Sequence, residues 1–378
     1  MNGGRKCLLS IDGGGLCGLI PAGCLIRMES QLNQLTGTQL PLGKRFDLIG
    51  GTSTGAILAA GLSLGLPATQ LLDFYLQYGK EIFTKVFFTR QLWHKYSSGP
   101  LARRLKQVFG EATTLGSSSL LTKLMVVAKN VTHGSTWFFT NNPNSRFFKN
   151  NKDLPLWQVV RASTAAPTYF PPQSIAVPDN QGRAQQYEFV DGGVSSFNNP
   201  ALQLFLEATE PSYDFGWPTG VDKLLLISLG TGYNAVTVPS GKADCYMLLN
   251  WAGYLIKGLM NDMNLQQNLM MQLIGQRPTT AMRSAADEMH SAGVQVGAPS
   301  DSVVNRMSEW LGATKLLTYQ RMTVSLTRQR LDALGLKDID PVKVREMDAV
   351  NEIDNMRRVG EKVAEEQVNM DLVRNFFV

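Results

Sequence analysis

Apolar residues along this chain gather in short runs separated by glycine turns and polar connections. Cys7 to Ile11 forms a largely apolar strand that runs into Gly13, Gly14 and Gly15, and a segment with helical apolar spacing follows. Phe46 to Ile49 repeats this strand, glycine turn and helix order. Further on, the pattern predicts helices near 54–64 and 68–82, strands near 124–129 and 135–140, a helix near 155–163, and strands ending at Asp191 and Gly230. Strands alternating with helices predict an α/β fold, a central mostly parallel sheet with helices on both faces. The polar stretch 141–153 reads as a loop. From about residue 240 the period becomes helical, with Leu248, Ala252, Leu255, Leu259 and Met263 on one face that is expected to pack on the core. An edge strand is expected over 319–326 and exposed-face helices over 337–378. The organisation expected is a catalytic core over 1–235 and a mainly helical C-terminal region over 236–378, packed on the core as part of the same domain.

Two of the glycine turns carry candidate chemistry. Gly13, Gly15 and Gly18 spell G-x-G-x-x-G after a strand, the context of a dinucleotide-binding loop. That fold also needs a carboxylate ending the next strand to hold the ribose, and none lies between Glu29 and Asp47. The second turn, Gly51-Thr52-Ser53-Thr54-Gly55, is a G-x-S-x-G nucleophile elbow. Flanking glycines allow a sharp strand-to-helix turn that exposes the serine hydroxyl at the positive end of the helix dipole. An ordinary Gly/Ser turn opening a helix reads the same way, but a second glycine loop could supply backbone N–H groups to an oxyanion.

A serine nucleophile needs a base. The three histidines are His94 in a basic aromatic run, His133 in a turn and His290 in a polar helical segment, and none stands in an orienting motif. The remaining candidate is Asp191, which ends an apolar strand at a Gly-Gly turn; a turn aspartate that only accepts backbone amides would look the same. As a base it needs a desolvated cleft to raise its pKa.

Composition narrows the setting. A chain of 378 residues with 44% hydrophobic content suffices for a packed core. Asp12 interrupts the first apolar stretch, so no secretory signal is expected, and the apolar run 57–66 is too short to span a bilayer. Cys7, Cys17, Cys24 and Cys245 lack zinc spacing and are expected to be reduced, in a cytoplasmic protein without metal or cofactor. The net charge of +5 excludes little. Between 78 and 96, Lys80, Lys85, Arg90 and Lys95 interleave with Phe83, Phe87, Phe88, Trp93 and Tyr96, a pattern that can dock on an anionic lipid surface or bind single-stranded nucleic acid, or simply bury its rings.

Taken together, DGGGLCG (12–18), GTSTG (51–55) and DGG (191–193) resemble the patatin-like phospholipases, and 157–172, 191–201 and 224–232 resemble the segments that line that family's site and build its sheet. The resemblance implies a patatin-like three-layer sandwich and a phospholipase A-type acyl hydrolase with a Ser-Asp dyad. Ser53 would be the nucleophile, Asp191 the general base, the amides of Gly13, Gly14 and Gly15 the oxyanion hole, and Gly51 and Gly55 the elbow. Cys17 departs from the family pattern, which usually has a basic residue there, and this puts phosphate recognition by the loop in question. With its C-terminal helical region the chain resembles the cyclic-nucleotide-activated phospholipase effectors of bacterial anti-phage defence. That implies a phospholipid membrane as partner, peripheral attachment at the inner membrane when active, a cyclic dinucleotide activator, possible homo-oligomers and no nucleic acid polymer. Arg277, Arg283, Arg306, Lys315, Arg321, Arg328 and Arg330 give the C-terminal region cations able to hold phosphates, or stand there simply as solvated surface charges, and the sequence assigns no binding site to the activator. An ungated lipase, a catalytically silent nucleotide-binding module and an interaction scaffold are the alternatives.

Overall fold

The computed structural model describes residues 4–85, 94–179, 181–213, 215–233, 236–238, 240–278, 309, 312 and 314–378. Its strands are β1 (Lys6–Ile11), β2 (Leu48–Thr52), β3 (Lys123–Asn130), β4 (Ser135–Thr140), β5 (Gln173–Pro178), β6 (Ala184–Asp191), β7 (Leu224–Leu229), β8 (Gly275–Gln276) and β9 (Leu317–Met322). Its helices are α1 (Leu19–Thr36), α2 (Thr54–Ser63), α3 (Ala68–Ile82), α4 (Ser98–Phe109), α5 (Phe148–Asn151), α6 (Leu156–Ser163), α7 (Ala201–Thr209), α8 (Leu248–Ile274), α9 (Arg328–Ala333), α10 (Pro341–Val344) and α11 (Ile353–Gln367). Among the described residues no helix is long and apolar enough to cross a membrane.

The sheet runs β5-β6-β3-β2-β1-β7-β9-β8, with β4 on the other side of β3. Strands β3, β2, β1, β7, β9 and β8 are parallel neighbours, whereas β4 and β6 pair antiparallel with β3, and β5 with β6. The sheet is therefore mixed, with a parallel centre. Its central strands are apolar on both faces, as a sheet covered by helices on both sides requires. On β1, Cys7, Leu9 and Ile11 join one core cluster and Leu8 the other. On β7, Leu225, Ile227 and Leu229 alternate with Leu224 and Leu226 in the same way. Helices α1, α2, α3, α4, α6 and α11 cover the first face, and α7 with the end of α8 covers the second.

Three expectations are corrected. The strand expected at an edge over 319–326 is β9, which lies between β7 and the two-residue β8. The polar stretch 141–153 contains the short helix α5. Leu255 and Leu259 do not pack on the core; they are 54% and 56% exposed. The inward face of α8 is Ile256, Met260, Gln267 and Met271 instead. Helical spacing places apolar residues on both faces of α8, and the buried amides of Gln267 and Asn268, bonded to the Ser196 carbonyl and the Tyr319 hydroxyl, fix which face turns inward.

Candidate active site

The register of the sheet brings Ser53 and Asp191 together. Thr52, the last residue of β2, pairs with Val127 on β3, and Asp191, the last of β6, pairs with the next residue, Ala128. Strand β6 thus continues the sheet beyond the end of β2, and the chain turning into α2 meets the carboxylate. Ser53 sits in that turn at φ 54 and ψ −121, a conformation few non-glycine residues adopt and one that a nucleophile elbow imposes. Its neighbours have to be glycine: a Cβ on Gly51 would lie 2.1 Å from the Gly55 carbonyl oxygen, and one on Gly55 2.1 Å from that of Ile11.

The Ser53 hydroxyl donates to Asp191 Oδ2 at 2.5 Å, and the Gly193 amide donates to Oδ1 at 2.7 Å. The backbone of Ser53 is held from behind, its amide donating to Ser163 Oγ and that hydroxyl to the Val127 carbonyl. Burial raises the Asp191 carboxyl to about 6, partly offset by the hydrogen bonds from Ser53 and Gly193 and by the buried Arg161 guanidinium. An acid tuned to that range is a far better base than an exposed aspartate.

Facing the serine is the glycine loop. Among the described residues the amides of Gly14 and Gly15 have no acceptor, whereas the Gly13 amide is committed to the Asn198 carbonyl at 3.1 Å. Of the three amides expected to hold an oxyanion, two are available. The loop is clamped by Thr231 Oγ1, which donates to the Gly13 carbonyl at 2.6 Å, and by the Leu16 amide on the Met347 carbonyl. Below it, Arg321 forks onto both oxygens of the buried Asp12 and also bonds Ser228. A Cβ on Gly14 would run into Thr231, and one on Gly15 into the Met347 backbone. Cys17 is buried, its thiol raised to about 12 by burial and by Glu346, and it donates to the Arg345 carbonyl. A thiol in that state is neither a charge nor a nucleophile.

Ser53 and Asp191 open into a cavity of about 80 Å³ with almost wholly apolar walls, among them Ile57, Phe74, Phe170, Ile256 and Met260. Such a space accepts a hydrocarbon chain. A model of patatin-like phospholipases matches residues 9–205, just over half of the chain. The chain belongs to the patatin-like phospholipase family. Within that family it is 35% identical over 274 residues to patatin-like protein 2 of Arabidopsis thaliana, an alignment covering 65% of this chain and 64% of the plant protein. It is 27% identical over 320 residues to patatin-16 of Solanum tuberosum, covering 76% and 81%. The chain thus spans a little under two-thirds of the first of these relatives. Among solved structures, VipD from Legionella pneumophila is similar at TM-score 0.38 and 13% identity over 96% of this chain and 67% of that one, too slight a likeness to bear on function.

Other expected site residues fall elsewhere in this patatin-like protein. His133 is exposed and bonded to Ser135 in the turn between β3 and β4, and His290 lies outside the described residues. Of the aromatic basic segment, Phe87, Phe88, Arg90 and Trp93 also lie outside them, while Phe83 and Tyr96 turn inward and pack on each other and on Phe170. Tyr96 is anchored by its hydroxyl to Asp348, and Phe83 lines the cavity at Ser53. Four of the C-terminal cations are also committed: Arg321 to Asp12, Arg330 to Glu366, Arg328 to Asp332 and two carbonyls, and Lys315 to the carbonyls ending α8. Arg283 and Arg306 lie outside the described residues. Among the described residues no cluster of His, Cys, Asp and Glu could hold a metal. Asn198 and Ser163 escaped the sequence reading as individuals, although both lie in segments that the family resemblance covers.

Proposed function

We propose that this protein is a serine acyl hydrolase that cleaves the fatty acyl esters of membrane phospholipids through Ser53 and Asp191. The observation that carries this reading is the 2.5 Å hydrogen bond from the Ser53 hydroxyl to a desolvated Asp191 carboxylate at the floor of an apolar cavity. Asp191 takes the serine proton as Oγ attacks the ester carbonyl, and the amides of Gly14 and Gly15, with the N-terminus of α2, stabilise the oxyanion. The proton then passes to the departing alcohol. Asp191 next draws a proton from water, whose oxygen attacks the acyl-Ser53 ester and releases the fatty acid. Labelling with a fluorophosphonate followed by peptide mass mapping tests this assignment: the adduct is expected on Ser53, and a protein that takes no label, or takes it elsewhere, refutes it.

The substrate sits in a bilayer, so we place the working enzyme peripherally at a membrane. The support is the outer face of α8 and the residues before it, where Met247, Leu255 and Leu259 are exposed and Tyr246, Trp251 and Tyr254 contact one another in series. The inner face of the same helix lines the cavity with Ile256 and Met260, so docking this helix on lipid would bring acyl chains to the cavity mouth. Cyclic dinucleotide gating in anti-phage defence is the finest part of the reading and rests on the resemblance alone. A nucleotide screen by thermal shift and vesicle hydrolysis decides it. Tenfold stimulation by one cyclic dinucleotide supports gating, and full activity with no shift from any of them removes it.

A further inference from the structure

A second cavity, of about 170 Å³, adjoins the first, and Gly14, Asn198, Met260 and Met347 form the wall between them. Its chemistry differs, since about half its surface is polar, contributed by residues that include Thr237, Asn264, Lys257 and Arg345. Two cations and one anion, Glu346, stand at this cavity. Lys257 Nζ lies 2.6 Å from Glu346, so that pair cancels. Arg345 is exposed, and among the described residues its guanidinium has no hydrogen-bond or ion-pair partner; its carbonyl alone is engaged, by Cys17. The site therefore presents one uncompensated positive charge. The same cavity is lined by a buried acceptor: Asn198 is 1% exposed, its amide nitrogen reaches the Gly13 carbonyl and Asn264 Oδ1, and its Oδ1 has no partner among the described residues. Leaving such an atom unpaired is costly unless a ligand donates to it.

An ester has two halves on either side of its carbonyl. With the acyl chain in the apolar cavity at Ser53, the alcohol half departs across the glycine loop, toward the polar cavity. We propose that this second cavity is the subsite for the alcohol half of the substrate, a glycerol-linked phosphate head. Arg345 holds the phosphate, and Asn198 Oδ1 accepts a hydrogen bond from the glycerol hydroxyl that cleavage of the acyl ester frees on the departing alcohol. The proposal rests on the acyl hydrolase reading and adds a headgroup discriminator to it.

The test compares wild type with Arg345→Ala and Arg345→Glu on three esters. These are phosphatidylcholine and the diacylglycerol with the same acyl chains, each at fixed surface fraction in neutral mixed micelles, and soluble p-nitrophenyl butyrate. The phosphatidylcholine KM is expected to rise about tenfold in Arg345→Ala, the loss of one charge-assisted hydrogen bond, and further in Arg345→Glu. Its kcat, and both constants for diacylglycerol and the soluble ester, should stay within about twofold of wild type. Glycerol 3-phosphate distinguishes a substrate subsite from a site for a free phosphate. Competition against phosphatidylcholine alone supports the subsite, while a change in kcat on all three esters, from glycerol 3-phosphate or inorganic phosphate, overturns it. Equal effects of the Arg345 variants on phosphatidylcholine and diacylglycerol overturn it as well, with the acyl hydrolase reading left standing. A wild type that cleaves none of the three esters defeats both.

Discussion

Ser53 and Asp191 each carry a cost to the fold. Ser53 holds a backbone conformation that only its glycine neighbours and the Ser163 hydrogen bond make tenable, and Asp191 is a carboxylate taken out of water. Ser53→Ala and Asp191→Asn are each expected to lower kcat for ester hydrolysis by at least about a thousandfold, the scale on which a coupled nucleophile and base act. Steady-state assays on a short-chain ester, with circular dichroism to verify the fold, check this. The pH profile has a definite sign: the base works ionised, so kcat/KM should rise with pH through about 6 and level off above it. Stability runs the opposite way. Because folding raises the Asp191 pKa, its contribution to stability is complete below the unfolded value and is lost as pH rises through the folded one. Asp191→Asn, which keeps the side-chain shape, should therefore melt higher than wild type at pH 8, by up to about 3 kcal/mol of stability, and no higher at pH 4. A melting temperature that falls in the variant at pH 8 would show that the carboxylate is held at no cost.

At the scale of elements, α8 has two apolar faces with different tasks. One face lines the cavity through Ile256 and Met260, and the other turns Leu255 and Leu259 to solvent. Folding leaves more than half of each of these leucines in water, and burying that remainder in hydrocarbon gains each about 1 kcal/mol or more. Replacing both with glutamine is expected to lower hydrolysis of vesicle phospholipid more than about tenfold. Soluble ester hydrolysis and the melting temperature should be unchanged. Vesicle sedimentation and paired assays measure this, and a double variant that still binds and cleaves vesicles normally would exclude α8 as the docking face.

At the scale of the whole molecule, the C-terminal residues complete structures that the N-terminal ones begin. Strand β9 covers β7 in the sheet, Arg321 on it neutralises Asp12 under the glycine loop, and α11 lies along α1. Where α1 and α11 cross, Gly23 and Gly360 allow backbone approach, since a Cβ on Gly23 would lie 2.8 Å from the Gly360 carbonyl carbon. We propose that residues 1–235 and 236–378 fold as one unit. A chain ending at residue 235 would expose β7 as an edge and leave Asp12 charged and unpaired in the interior, and removing one partner of such a buried pair costs about 3 to 5 kcal/mol. It should show no cooperative thermal unfolding by circular dichroism. A truncated chain that melts cooperatively and keeps its esterase activity would establish two independent units.

The sequence by itself determined what depends on near neighbours along the chain. The elbow needs Gly51 and Gly55 beside Ser53, the loop needs its run of glycines, and the central strands need apolar residues on both faces, so all of these were legible as local patterns. It also determined the family, because DGGGLCG, GTSTG and DGG occur in the required order. Only the tertiary structure decided what depends on residues distant in sequence. The adjacent rungs of β3 that set Asp191 beside Ser53 are a matter of register. The Asn198 carbonyl that takes the Gly13 amide, and so leaves the oxyanion to Gly14 and Gly15, comes from 185 positions away. Charge alone could not tell Arg321, bound to Asp12, from Arg345, whose guanidinium stands at the polar cavity without a partner among the described residues. Periodicity could not tell the inner face of α8 from its outer one, because both are apolar and only the partners packed against the helix break that symmetry.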